Sequence, residues 1–196
     1  MRVVVVLLLA ACDQTWNLDH VDPPLPFDPD VNCPTDYDLT LFPVAPDSRY
    51  RVTGNTFAAW DSSDDCNDDT DGLTHLAVAA TDEELAALRE ALIVKGQVRW
   101  WLGAVQPAVG VSMPLDDWLW VNDMQILKTL WAASPQEPDD VDGVEQDHRE
   151  QFAVIEEARP GLVDIDGAFG NRAVCECDGD SLGDAARAAI AQSRTQ

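Results

Sequence analysis

Basic residues are scarce: the chain of 196 residues holds 12 Lys and Arg against 36 Asp and Glu, a formal net charge of −24. A surface of that sign repels phosphate backbones and anionic head groups, which argues against nucleic acid as a partner. It suits cations instead, free calcium and basic proteins among them. Long apolar runs are also lacking. The run Val3–Ala11 falls well short of the ~20 residues that a membrane-spanning helix needs. The catalytic patterns H-E-x-x-H, P-loop and G-x-G-x-x-G do not occur, and in so acidic a chain a pair of carboxylates is no mark of a glycosidase. The expectation is a binding protein and not an enzyme. Aromatic and aliphatic residues are nonetheless plentiful, with 46% hydrophobic residues and seven Trp, so the bulk of the chain should fold around a core.

Cysteine is sparse and odd in number, at positions 12, 33, 66, 175 and 177. The beginning of the chain sets one apart. Arg2, the apolar run and the small residues before Cys12 have the layout of a signal peptide. Leu9-Ala10-Ala11-Cys12 resembles the lipobox of bacterial lipoproteins, whose leader is cut before the cysteine and whose new N-terminus is acylated. This resemblance implies a signal peptide over residues 1–11, lipidation of Cys12 and attachment to a membrane through that lipid. The place it implies is the bacterial cell envelope on the extracytoplasmic side, with outer and inner membrane both open. Four cysteines then remain in a compartment that favours disulfides, enough for two bridges.

Residues 13–48 carry seven Pro and eight Asp without a sustained period and read as a semi-rigid tether, so that 12–48 would lift a domain from the membrane. From Tyr50 the pattern changes. "YRVTGNTFAAW" reads as a strand and turn, and "DSSDDCNDDTDG" invites comparison with an EF-hand loop through Asn67, Asp69, Asp71 and Gly72. The comparison fails at the twelfth position, where Val78 replaces the bidentate Glu. Thr81 and Glu84 form a capping box ahead of Leu85, Leu88 and Leu92, which predicts a helix. "QVRWWLGAV", "WLWVND", "QFAVIE" and "RAVCEC" are strand candidates, and residues 122–150 form a long Pro- and Asp-bearing stretch of the kind that carries function. Residues 179–196 read as an Ala-rich C-terminal tail, helical or frayed.

This order of signals, from about Tyr50 to Cys177, resembles the C-type lectin-like domain. Cys66 matches the family's first domain cysteine, His75-Leu76-Ala77 its "HLA" step and Asp82-Glu83-Glu84 its acidic helix. Trp101-Leu102-Gly103-Ala104 meets the Trp-Ile-Gly-Leu motif, Trp118 and Trp120 the Trp-x-Trp, and Trp131 the Trp ahead of the ligand loop. Glu137-Pro138-Asp139 stands for Glu-Pro-Asn, Glu150 to Ile155 for the E-x-C-V-x-I strand, Leu162-Val163-Asp164 for Trp-Asn-Asp and Ala173-Val174-Cys175-Glu176 for the closing strand. The resemblance implies an α+β fold over residues 49–178, with two helices packed on small antiparallel sheets and a long ligand-binding loop region. It also implies that Cys66 pairs with Cys175, and with it that Cys33 pairs with Cys177. A Cys-x-Cys metal site is the rival for the last pair.

The same resemblance implies a calcium ion held by Glu137, Asp139, Glu150 and Asp164, with Pro138 as a cis proline and Asp140 beside it in the ligand loop. A sugar's vicinal hydroxyls would coordinate the ion, so the partner would be a carbohydrate or a cell-surface glycoconjugate. Glu-Pro-Asp is a hybrid of the family's mannose-type Glu-Pro-Asn and galactose-type Gln-Pro-Asp and predicts neither. Phe152 and Gly167 stand where the family's second bridge has cysteines, and Val163 where a ligating Asn is usual. A calcium-independent reading therefore stands beside the first: a lectin-like adhesin whose loop binds protein. Trp118 and Trp131 are expected in the core and not as sugar platforms.

Overall fold

A computed structural model describes residues 26–70, 72–94, 98–107, 117–139 and 150–195. Eight strands among these residues make one mixed sheet: β1 (Leu39–Leu41), β2 (Ala45–Val52), β3 (Thr74–Leu76), β4 (Arg99–Val105), β5 (Leu119–Trp120), β6 (Phe152–Glu156), β7 (Leu162–Ile165) and β8 (Arg172–Cys177). The path runs β1-β2-β8-β4-β6-β7, with β3 on β8 and β5 on β4. The helices are α1 (Pro29–Asn32), α2 (Ala59–Asn67), α3 (Asp82–Ile93) and α4 (Asp184–Ser193). The class is α+β as expected, but beyond the two expected helices, α2 and α3, a further helix of ten residues, α4, packs against α2 and β4. The sheet is not purely antiparallel, since β4 and β8 pair in parallel through Trp100↔Arg172 and Trp101↔Ala173.

Strand β8 organises the molecule. Its residues from Val174 to Cys177 pair with β2, while on the other edge Arg172 and Ala173 meet β4 and Cys175 to Cys177 meet β3. Residues two apart on a strand share a face. Cys175 and Cys177 therefore point the same way, and they bridge to Cys66 in α2 and to Cys33 just after α1. Glu176 points to the opposite side, where its Oε2 accepts the Val78 N–H at 2.8 Å. Trp100, Trp101, Trp120, Tyr50 and Phe152 fill the centre of the core, and Trp118 and Trp131 meet edge to face with centroids 4.6 Å apart, both buried.

Helix α3 begins as its capping box predicts: Thr81 Oγ1 accepts the Glu84 N–H at 3.1 Å, and Glu84 Oε2 reaches back to the Ala80 N–H. Leu85, Leu88 and Leu92 are its buried face. Helix α2 takes up the first half of the Asp-rich stretch and ends at Asn67, the first residue compared with a calcium loop. Its buried positions, Ala59, Ser62, Ser63 and Cys66, fall at i, i+3, i+4 and i+7, but two are serines, so apolar periodicity does not reveal them. Its acids face outward to scarce cations. Arg51 holds Asp65 together with Asp69 just beyond the helix, and Arg194 holds Asp64.

Two boundaries differ from the sequence reading. Residues 26–48, expected in the tether, fold with the domain: Leu39 pairs with Tyr50, Tyr37 is buried with its hydroxyl on Asp69, and Phe27 lies against Gly179. The Pro and Asp content masked a few well-spaced apolar residues that β2 and the Cys33–Cys177 bridge capture. The tail likewise carries a packed helix. Ala186, Ala189 and Ile190 of α4 are buried, and the Asp123 carboxylate accepts the N–H groups of Ala185 and Ala186 at its first turn. Residues 1–25, with the signal-peptide and lipidation expectations, lie outside the described residues. Among the described residues no helix is long and apolar enough to cross a membrane.

Candidate functional site

Three of the four predicted metal ligands converge. Asp164 sits on β7 opposite Ala153 of β6, with a side chain that faces the loop in which Glu137 and Asp139 flank a cis Pro138. The loop is drawn in by backbone contacts: Ala132 N–H donates to Leu162 O, Glu137 N–H to Ala132 O, and Asp139 N–H to Asp164 Oδ1 at 3.2 Å. The turn that leads into β7 depends on Gly161, whose φ of +103° and approach to Ala132 exclude a side chain: a Cβ there would lie 2.5 Å from Ala132 N. One carboxylate oxygen from each of Glu137, Asp139 and Asp164 lies within 4.8 Å of the other two. Glu150, the fourth predicted ligand, is buried two residues ahead of β6 and lines the same cavity of about 340 Å³ without joining that set of three. Asp140 lies outside the described residues.

The donor chemistry fits calcium. Calcium takes oxygen ligands at roughly 2.3–2.6 Å, so two oxygens on one ion lie at most about 5 Å apart, the spread found here. Val163, 2% exposed, supplies cavity wall where an amide would have supplied a ligand. Burial is the main reason that the Glu137 carboxyl is pushed up to about 8, with Asp164 and Asp139 adding to it and Arg159 opposing. An ion here would relieve that crowding.

A charged chain that sequence reasoning did not single out runs from this cluster. Arg159, in the turn between β6 and β7, places Nη1 on Glu137 Oε1 and Nε on Glu156 Oε2, the latter at 2.8 Å. Arg99, opposite Glu156 in the β4–β6 register, places Nε on Glu156 Oε1. Burial opposes the charge on Glu156, but Arg159 and Arg99 together hold its carboxyl below the usual range. The signal in the sequence is the scarcity itself: a basic residue in a turn of so acidic a chain has an acid to meet.

A second cluster lies across the molecule. His75, 1% exposed, places Nδ1 2.8 Å from Leu76 O and Nε2 3.1 Å from Asp178 Oδ1, and Glu176 shares the site. Both neighbours of the ring are acceptors, so both nitrogens donate and the ring is an imidazolium. Burial pulls its pKa down, but Asp178 and Glu176 outweigh it and raise it to about 9. Burial raises Glu176 to about 7. The sequence reading missed one catalytic pattern: Gly179-Asp180-Ser181-Leu182-Gly183 has the G-x-S-x-G spacing of serine hydrolases. The context does not support that use: Ser181 is exposed between β8 and α4, and both ring nitrogens of His75 are committed to other groups.

No protein-family model matches the chain, and no curated protein matches it in sequence. Solved structures do match. The C-type lectin CEL-I of Cucumaria echinata aligns at 17% identity and a TM-score of 0.57, over 74% of this chain and 96% of its own. The human scavenger receptor C-type lectin carbohydrate-recognition domain aligns at 20% identity and a TM-score of 0.58, over 74% and 98%. Human lithostathine aligns at 14% and 0.58, over 81% and 98%. At these identities the likeness is one of fold, and it spans nearly the whole of each relative: the chain has the α+β fold of C-type lectin domains.

Proposed function

We propose that this protein is an extracytoplasmic, lipid-anchored lectin-like binding protein whose loop holds calcium and, through the ion, the hydroxyls of a carbohydrate on a glycoconjugate. The observation that carries this reading is the convergence of Glu137, Asp139 and Asp164 within 4.8 Å beside the Glu137–Pro138 peptide, in a cavity that Glu150 also lines. Carboxylates on an ion accept the protons of the same hydroxyls that the ion coordinates, which makes one small cluster a site for a vicinal diol. The chemistry required is binding, not bond breaking. A calcium-independent protein-binding module is the second reading, favoured by Arg159 lying against Glu137 and by Val163 in the wall.

Thermal melting with calcium and with magnesium tests the first reading. At a hundredfold excess over Kd, linkage gives about 2.7 kcal/mol, or roughly 5–10 °C for a domain of this size. Magnesium should do much less, because it demands a tighter octahedron. The companion assay is a glycan array with and without chelator. Chelator-sensitive glycan binding supports the proposal. Equal responses to calcium and magnesium, together with chelator-insensitive capture of a protein, would transfer support to the second reading.

A further inference from the structure

Arg159 has an arrangement that a surface arginine does not need. Its two ends are held by two different carboxylates: Nε by Glu156 at 2.8 Å and Nη1 by Glu137, whose side chain is 3% exposed. Glu156 is itself fixed from the neighbouring strand by Arg99. This frame aims the guanidinium at the edge of a cluster of three carboxylates. The Arg159 side chain keeps 23% of its surface exposed, so a way out to solvent exists. A guanidinium on Glu137 occupies one of the oxygens available to an ion, and a divalent cation placed among Glu137, Asp139 and Asp164 would meet a like charge at its border.

We propose that Arg159 is a resident cation at the edge of the site and sets its calcium threshold: it holds the Glu137 carboxyl when no metal is bound, and calcium binds only by displacing it from Glu137. This rests on the calcium reading above and adds to it the residue that decides how readily the ion enters. Two consequences of opposite sign follow. Without metal, removing the guanidinium should loosen the fold, since it takes from the buried Glu137 carboxyl its charged partner. With metal, removing it should tighten binding, since the ion no longer competes.

The test compares the full wild-type chain with Arg159→Gln and Arg159→Lys. Calcium chloride is titrated by calorimetry, and melting is followed in chelator and in saturating calcium. In chelator Arg159→Gln should melt below wild type, whereas its calcium Kd should be lower by about tenfold or more, the scale of a lost charge-assisted hydrogen bond. Saturating calcium should close most of the melting gap. Lysine keeps the charge but has no fork to span Glu137 and Glu156, so its Kd should fall between the two; this variant carries the test if Arg159→Gln does not fold. A variant that melts lower and binds calcium no more tightly than a wild type that does bind would overturn the threshold role and leave the calcium reading intact. If neither wild type nor variants take up calcium, both fall together.

Discussion

The two disulfides are nested, and the nesting sets what each is worth. Considered alone, the Cys33–Cys177 bridge spans 144 residues, for which chain entropy gives about 5 kcal/mol. The Cys66–Cys175 bridge already closes 109 of them. Only 144 − 109 = 35 residues of slack then remain for the outer bridge to remove, and the same relation gives about 3.8 kcal/mol. The perturbation is the double variant Cys33→Ala and Cys177→Ala, with retention of the inner bridge verified by non-reducing peptide mapping. At 2–4 °C per kcal/mol the melting temperature should fall by roughly 8–15 °C. The loss should be concentrated in the denatured ensemble, with β2 and β8 still paired at low temperature. A fall under about 3 °C, or folding that fails although the inner bridge is formed, would refute the loop arithmetic and assign the bridge a structural role in seating residues 26–48.

Further outcomes follow from particular side chains. Gly161→Ala forces a Cβ against the Ala132 backbone at positive φ; it should cost about 2 kcal/mol or more and blunt any calcium response, read by melting with and without the ion. Asp164→Asn keeps the size of the side chain but removes a carboxylate from the cluster; it should abolish the calcium shift with both disulfides still formed. In chelator, stability should fall as pH rises from about 5 to 9, measured by urea melts. The sign follows from the raised folded pKa values. Glu137, about 8 against 4.5, and Glu176, about 7 against 4.5, bind protons more tightly when folded, and His75, about 9 against 6.5, does the same. The His75 contribution is complete below 6.5 and lost through 9, so His75→Asn should flatten the alkaline limb, while saturating calcium should flatten the share of Glu137. Stability rising with pH over this window would contradict the assignment.

What the sequence determined by itself was local chemistry and order. The Thr81–Glu84 box and the leucines at helical spacing specified α3, because capping and amphipathicity act within a few residues. The aromatic runs specified β4 and β5, the short apolar runs specified β6 and β8, and the order of short motifs implied the fold and the bridge partners through the family it resembles. Helix α2 stayed hidden because its buried face is built from Ala, Ser and Cys, which carry little hydrophobic signal. The extent of the domain stayed hidden because Tyr37 and Leu39 acquire their meaning only when β2 and Asp69 are beside them. Glu137, Asp139 and Asp164 were legible as candidates, but their meeting depends on a register 25 residues away in sequence, fixed by Asp139 N–H on Asp164. Arg159 had no motif at all. Its position against Glu137 and Glu156 is decided by the β6–β7 turn and by Arg99 on the neighbouring strand, and long-range electrostatics of that kind exists only once the chain has folded.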